Sequence, residues 1–406
     1  FGNAVVGIPT PTPQVIPILT PPKVPQPIPT PIPTPIPTIN PVLIPAQGTP
    51  VLNPMPGGPT VATGVPSVAP GQIAPTAGVQ SALAAKSVLA ASQGPGGSGS
   101  ARVFNADCTL RADAPIFQGF AGGIRIGTAD VNCDGVLDGI ASVGLGGTNG
   151  HVKVFSGVDG SLLRSFFAFQ GFTGAVNVTG GDLNADGLAE IIVGSGAGGH
   201  VKVFDGATGV VLASFLAFPG YGGGVTVAAG DFNNDGIDDV VAGTETGSTH
   251  VKVIDGTSLN QVGADGSISD SAVIGSFFAY DGFGGGVSVS AGDFDGDGLA
   301  DVVTGAGPGA GPHVKVFRGA GGPPLASFFG FQPEFRGGVR VGVVDADQNG
   351  VNELVLGAGP GAGPHVKAVG RASLAALDPN GRISDAGLVA SFFAFDPAFA
   401  GGVYVD

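Results

Sequence analysis

Five nine-residue stretches gather oxygen-bearing side chains at one spacing: DVNCDGVLD (130–138), DLNADGLAE (182–190), DFNNDGIDD (231–239), DFDGDGLAD (293–301) and DADQNGVNE (345–353). Positions 1, 3, 5 and 9 are always Asp, Asn or Glu, and position 6 is always Gly. Alternate residues of a tight loop can aim their side chains at one centre, and Gly permits the sharp turn this needs. A hard cation such as calcium wants six to eight oxygens. The expected side-chain ligands are Asp130, Asn132, Asp134 and Asp138; Asp182, Asn184, Asp186 and Glu190; Asp231, Asn233, Asp235 and Asp239; Asp293, Asp295, Asp297 and Asp301; and Asp345, Asp347, Asn349 and Glu353. The backbone carbonyls of Val136, Leu188, Ile237, Leu299 and Val351 add one oxygen per loop, and a bidentate carboxylate at position 9 closes the shell. Magnesium fits less well, because it keeps several waters and seldom takes an all-protein cage. Asp, Asn and Gly also favour plain Asx-turns. That explains one loop well and five identical spacings badly.

The elements around these loops repeat as well. Each unit reads GGVxVxxGD, the acidic loop, a short apolar run such as DVVTGAG, a Gly/Pro turn, HVKVF, a variable turn and SFFAF. The apolar pieces are short, rich in Val, Ile and Phe, and bounded by Gly or Asp, so they are read as strands. Four strands per unit, at a spacing of about 50 residues, predict the blade of a β-propeller. Full units start near Gly122, Gly174, Gly222, Gly284 and Gly337. The last residues, AGGVYVD (400–406), match only a first strand. SVLAAS (87–92), ARVF (101–104) and IFQGF (116–120) match strands two, three and four. Together they complete one more blade, so the expectation is an all-β propeller of six four-stranded blades, closed by pairing of N- and C-terminal strands. A chain continuing past Asp406 would raise the count to seven.

The acidic loop in its strand–loop–strand setting, together with GAGPGAGPHVKVF, resembles the FG-GAP repeats of integrin α-subunit heads and of many secreted bacterial proteins. The likeness spans about residues 86–406. It implies a calcium-stabilised propeller and leaves the biological role open, since one fold hosts many functions.

Residues 1–76 lie outside that likeness and are expected to form an extended Pro-rich arm, with the propeller over 77–406. Proline removes donors and clashes within a helix, which leaves polyproline II or strand. In PIPTPIPTPIPT (27–38) Pro recurs at every second residue. All missing N–H groups then fall on one edge of a strand, and the other edge stays able to pair. A stiff, solvated linker is the competing reading.

Net charge is −15 with only 12% charged residues, and the acid is concentrated in the loops. No Lys/Arg cluster exists to neutralise phosphates, which argues against nucleic acid. No apolar run is long enough to span a bilayer. The chain starts at Phe1 without a basic n-region, as expected of a processed form or a fragment. Nothing pairs a nucleophile with a base, and no phosphate loop or nucleotide fingerprint occurs, so no enzyme is expected.

Cys108 and Cys133 fall in turns on the same face of adjacent blades, where a disulfide would suit an oxidising compartment; two thiols are the alternative. His151, His200, His250, His313 and His365 share one repeat position. They are read as polar residues bonding a neighbouring turn, against a transition-metal ring. Lys153, Lys202, Lys252, Lys315 and Lys367, with Arg102, share another, opposite the apolar face of strand three; a basic ring for an acidic glycan is the functional alternative. Two long excursions, 256–275 and 370–390, are the expected places for partner contacts. The first functional reading is a secreted structural or adhesive protein with five Ca²⁺ sites, self-associating through residues 1–76 into an extracellular fibre or surface layer. The second is a monomeric cell-surface adhesin or receptor that binds a protein or glycan on a propeller face.

Overall fold

The structure is a computed structural model that describes residues 88–105, 108–344 and 351–406, together with Gly2. Contacts divide the chain into Phe1–Thr63 and Gly64–Asp406. The expected arm over 1–76 lies outside the described residues apart from Gly2. The strands among the described residues all belong to the second unit.

Twenty-four of them form six four-stranded antiparallel sheets. The chain enters through β1 (Val88–Gln93), β2 (Ser100–Asn105) and β3 (Leu110–Pro115). The first blade holds β4 (Ile124–Ala129), β5 (Asp138–Val143), β6 (His151–Phe155) and β7 (Leu162–Phe167). The second holds β8 (Val176–Gly181), β9 (Glu190–Ser195), β10 (His200–Phe204) and β11 (Val211–Leu216). The third holds β12 (Val225–Gly230), β13 (Asp239–Thr244), β14 (His250–Ile254) and β15 (Val273–Phe278). The fourth holds β16 (Val287–Gly292), β17 (Asp301–Ala306), β18 (His313–Phe317) and β19 (Pro324–Phe329). The fifth holds β20 (Val339–Val344), β21 (Glu353–Ala358), β22 (His365–Val369) and β23 (Leu388–Phe393).

The last strand, β24 (Val403–Val405), pairs antiparallel with β1 and completes a sheet of order β24-β1-β2-β3. The six-bladed ring is thus closed by joining the two ends, as the sequence predicts. One boundary differs. The outer strand of this closure blade is β3, not the IFQGF segment, because Ser100 pairs with Pro115 and Phe117 already donates to the Gly99 carbonyl in the turn beyond.

Burial explains the strand sequences. Second strands such as EIIVGS (β9) and DVVTGA (β17) are buried at every position. They lie inside a blade and between two neighbours, so they read as unbroken apolar runs. Third strands alternate, with Val in and His or Lys partly out. First strands of successive blades meet around the axis. Neighbouring blades approach so closely that a Cβ on Gly194 in β9 would stand 2.3 Å from the Val225 carbonyl oxygen of β12. The core is a set of wedges between blades. One wedge joins Ile192, Val201 and Phe215 of the second blade to Val225, Val240 and Ile254 of the third.

Candidate metal centres and the contacts around them

Each acidic loop links the first and second strands of its blade. The four loops described over their full length wind as successive Asx-turns. The first Asp holds the loop: Asp130, Asp182, Asp231 and Asp293 accept, through Oδ2, the position-6 Gly N–H at 2.8–3.0 Å. Position 3 accepts from the N–H of position 5, as Asn132 does from Asp134 at 2.9 Å. Position 5 accepts from position 7, as Asp134 does from Val136 at 2.9 Å. Side chains 1, 3 and 5 are thereby folded toward one side. In the fourth loop, one carboxylate oxygen from each of Asp293, Asp295 and Asp297 lies within 4.8 Å of the others. Such a donor set fits a hard divalent cation. Arg318 adds positive charge here, its Nη1 meeting Asp295 Oδ2 and lying 3.8 Å from Asp297 Oδ2. In the fifth loop, Asp345, Asp347 and Asn349 lie outside the described residues, while Val351 and Glu353 are described.

Position 4 carries a feature that spacing alone does not reveal. Cys133, Ala185, Asn234 and Gly296 all have left-handed φ values, between 58° and 78°. Asn and Gly at this position are the sequence signal, since both tolerate that conformation.

Position 9 behaves differently from positions 1, 3 and 5. Asp138, Asp239 and Asp301 are fully buried, and Glu190 and Glu353 nearly so. Asp239 accepts from Phe232 N at 3.0 Å and from Gly256 N at 2.9 Å. Asp138 and Asp301 repeat this pattern, each binding the second residue of its own loop and the strand-three-to-four turn. Glu190, one methylene longer, binds Leu183 N and Asn184 Nδ2, both at 2.8 Å. These carboxylates pin the loop to its blade. Burial pushes Asp239 up to about 6 and Glu190 up to about 7, and raises Asp138 and Asp301.

The loops are also linked around the ring. Ala189, Asp238 and Ala300, each at position 8, donate to the position-1 carbonyl of the preceding loop at 2.8–3.0 Å.

The other repeated residues form cement between blades. Every His places Nε2 2.8–2.9 Å from a Ser Oγ on the fourth strand of its own blade: Ser165, Ser214, Ser276, Ser327 and Ser391. Each ring also packs on an aromatic ring of the preceding blade, as His200 does on Phe169 at 5.2 Å. The bond thus runs across strands rather than to a neighbouring turn. Burial lowers all five His pKa values, that of His365 to about 4.

The strand-three cations reach backward. Arg102, Lys153, Lys202, Lys252, Lys315 and Lys367 sit 4.8–5.6 Å from the ring centroids of Phe395, Phe117, Phe169, Phe218, Tyr280 and Phe331. Four of them also donate to a carbonyl beside that aromatic, at 2.8–3.0 Å. One cation therefore bridges each of the six interfaces.

The excursions fold onto their own propeller. Leu216, ending β11, donates to Gly266 O at 2.7 Å and accepts from Ile268 N at 3.1 Å, a parallel bridge with Ser267. Phe329, ending β19, makes the same pair with Gly381 and Ile383. Phe167 and Phe278 hold the equivalent positions on β7 and β15 and are 53% and 60% exposed.

The Cys108–Cys133 disulfide is not formed in this structure. Cys108 packs against the wedge of Leu89, Phe104 and Phe392, toward the fifth blade, whereas Cys133 is exposed on a first-blade loop.

With this geometry in view, comparison with known proteins places the chain. Residues 182–242 match the family described as FG-GAP-like repeat, and 223–262 and 285–320 match FG-GAP repeat. FG-GAP repeats are thus present in the chain, within its six-bladed β-propeller. No curated protein matches the sequence. Among solved structures, similarity is found to the V. cholerae biofilm matrix protein Bap1, at 20% identity and TM-score 0.33, over 61% of this chain and 37% of that one. Rhamnogalacturonan lyase YesW aligns at 14% identity and TM-score 0.36, over 75% and 58%. BBS1N, in complex with ARL6DN, aligns at 10% identity and TM-score 0.40, over 77% and 90%. The chain spans little more than a third of the length of Bap1. No helix among the described residues is long and apolar enough to cross a membrane.

Proposed function

We infer that this is a secreted, non-catalytic structural or adhesive protein: a calcium-stabilised propeller joined to neighbouring subunits through residues 1–76. The observation that carries the reading is the convergence of Asp293, Asp295 and Asp297 in a loop winding shared by Asp130, Asp182 and Asp231. Side chains 1, 3 and 5 of each loop would hold the ion, with the position-7 carbonyl and the buried position-9 carboxylate completing its surroundings. Bound calcium supplies charge neutralisation to carboxylates that otherwise repel one another. Because the loops are hydrogen-bonded in series, stiffening one restrains the next.

The mode of joining draws support from the excursions. At Leu216 and Phe329 the outer edge of this propeller takes an extended segment of its own chain through paired backbone hydrogen bonds. Strand addition uses the same contacts between chains. An arm with Pro at every second residue offers one competent edge and blocks further growth on the other.

The test is electron microscopy and sedimentation of the full chain and of a variant lacking residues 1–76, with calcium and with chelator. Assemblies of the full chain and single propellers from the truncated one are expected, with a large fall in melting temperature in chelator. A full chain that stays monomeric in calcium overturns the joining role and favours a monomeric adhesin. An unchanged melting curve in excess chelator overturns the calcium role.

A further inference from the structure

The variable residue of GGVxV is the second residue of each first strand. Around the ring it reads Arg125, Asn177, Thr226, Ser288, Arg340 and Tyr404. These six side chains line the axial channel, a cavity of about 660 Å³ that also includes Glu245 and Asp406. Its size lies within the range of small-ligand sites, about 300–1,000 Å³. The flanking Val and Ile residues give it apolar walls.

Two guanidinium groups share this space. Tyr404 stands between them in blade order and carries both, Arg340 at 3.6 Å and Arg125 at 4.0 Å from its ring centroid. Arg125 is 6% exposed. Its Nε donates to Asn177 Oδ1 at 2.9 Å and its Nη2 to Glu245 Oε1 at 3.0 Å. Its Nη1 is buried without a hydrogen-bond partner among the described residues. A buried charged donor left unanswered is expensive, so such groups in native proteins call for a partner. Arg340 spends Nη1 on the carbonyls of Val403 at 3.0 Å and Ala358 at 3.5 Å, and has no carboxylate partner among the described residues. Asp406, also on the channel wall, makes no ion pair with either arginine; its Oδ2 accepts from Thr128 N at 2.6 Å and Thr128 Oγ1 at 2.7 Å. Among the described residues, two cations therefore face the channel with Glu245 as their one carboxylate partner.

The polar wall across the channel is partly committed too. Asn177 Nδ2 donates to Val225 O, and Thr226 Oγ1 to Val287 O. Ser288 Oγ accepts from Val341 N at 3.3 Å, which leaves its own hydrogen for donation.

We propose that the axial channel is a binding site for a small hydroxylated carboxylate, whose carboxylate accepts from the N–H groups that Arg125 and Arg340 leave open to the channel and whose hydroxyls reach the Ser288 side. Guanidinium groups bind carboxylates through paired, charge-assisted hydrogen bonds. Hydroxyls match the neutral polar wall, where a second anionic group would meet Glu245.

Isothermal titration of the full chain in calcium buffer tests this, with glucuronate, glucose and inorganic sulfate as probes. Glucuronate is expected to bind with submillimolar Kd and glucose not to bind. Arg340→Gln should weaken glucuronate at least tenfold, and Ser288→Ala, which leaves the cations in place, about fivefold. If Arg340→Gln does not fold, the Ser288→Ala arm and the wild-type probe series still decide. Absence of glucuronate binding, equal binding by the parent and both variants, or binding of sulfate but not glucuronate would each overturn the assignment.

Discussion

Asp239→Asn separates what the ninth loop residue does for the fold from what it does for a metal. The carboxylate is fully buried and answers two backbone donors, Phe232 N and Gly256 N, at 3.0 and 2.9 Å. Asparagine keeps the shape but offers one acceptor oxygen and one donor nitrogen. One N–H then faces an NH₂ group and stays unsatisfied, which costs about 1–3 kcal/mol. The surviving bond falls from charge-assisted to neutral, a loss of roughly 1 kcal/mol. Against this, the variant no longer buries a charge whose pKa burial has already raised to about 6. The net expectation is a loss of about 2–3 kcal/mol, or about 5 °C in melting temperature for a domain of this size. The assay is thermal melting of parent and variant, with calcium and with excess chelator. A structural staple predicts that the gap persists in chelator. Equal melting of the two proteins in chelator would refute the reasoning and leave Asp239 as a metal ligand alone.

Phe215→Ala should cost about 3–5 kcal/mol in urea unfolding, because the side chain is 1% exposed in the wedge between the second and third blades. Lys202→Met keeps the stem but removes the Nζ contact to Phe169 and the bond to Ala168 O at 3.0 Å, so about 1 kcal/mol should be lost in the same assay. His365 titrates at about 4 rather than 6.5, chiefly through burial and then through Lys367, with Asp385 acting in the opposite sense. The unfolded chain therefore takes up its proton first: stability from this group is complete above pH 6.5 and is lost as pH falls toward 4. The loss reaches about 2 kcal/mol near pH 5. His365→Gln should flatten that part of the acid limb by the same amount, measured as urea midpoints between pH 7 and pH 5; the same acid loss in both proteins would argue against it. Asp406, raised to about 6 by burial, gains stability over the same range and is unchanged in that comparison.

The elements legible in the sequence were those fixed by local chemistry. Apolar runs of the β9 and β17 kind announce strands buried on both faces, and the AGGVYVD end announces a missing blade partner. The outer closure strand is not legible in the sequence, because β3, LRADAP, is mostly exposed and lacks an apolar period. Its assignment depends on pairing with β2, not on its own composition. The cations were read as a face of their strands. Their partners lie in the preceding blade, 34–37 residues away for Lys153, Lys202 and Lys315, and no local period encodes that. Of the candidate site, donors 1, 3 and 5 were legible from spacing. The grip of Asp239 on Gly256 was not, because it joins the loop to a turn two strands away. The channel ring has no local sequence signal, because its residues share a position and not a chemistry.

At the seam of the ring, Val403, Tyr404 and Val405 of β24 pair with Gln93, Ser92 and Ala91, while Asp406 exchanges backbone bonds with Ala90. β24 runs antiparallel to β1, so residues 88 and 406 leave from the same end of that ladder. Tension applied between them would peel the pairs one after another instead of shearing them together. Pulled between those two residues, this propeller would uncurl at the closure blade first, while a load entering through the rim would spread across all six interfaces.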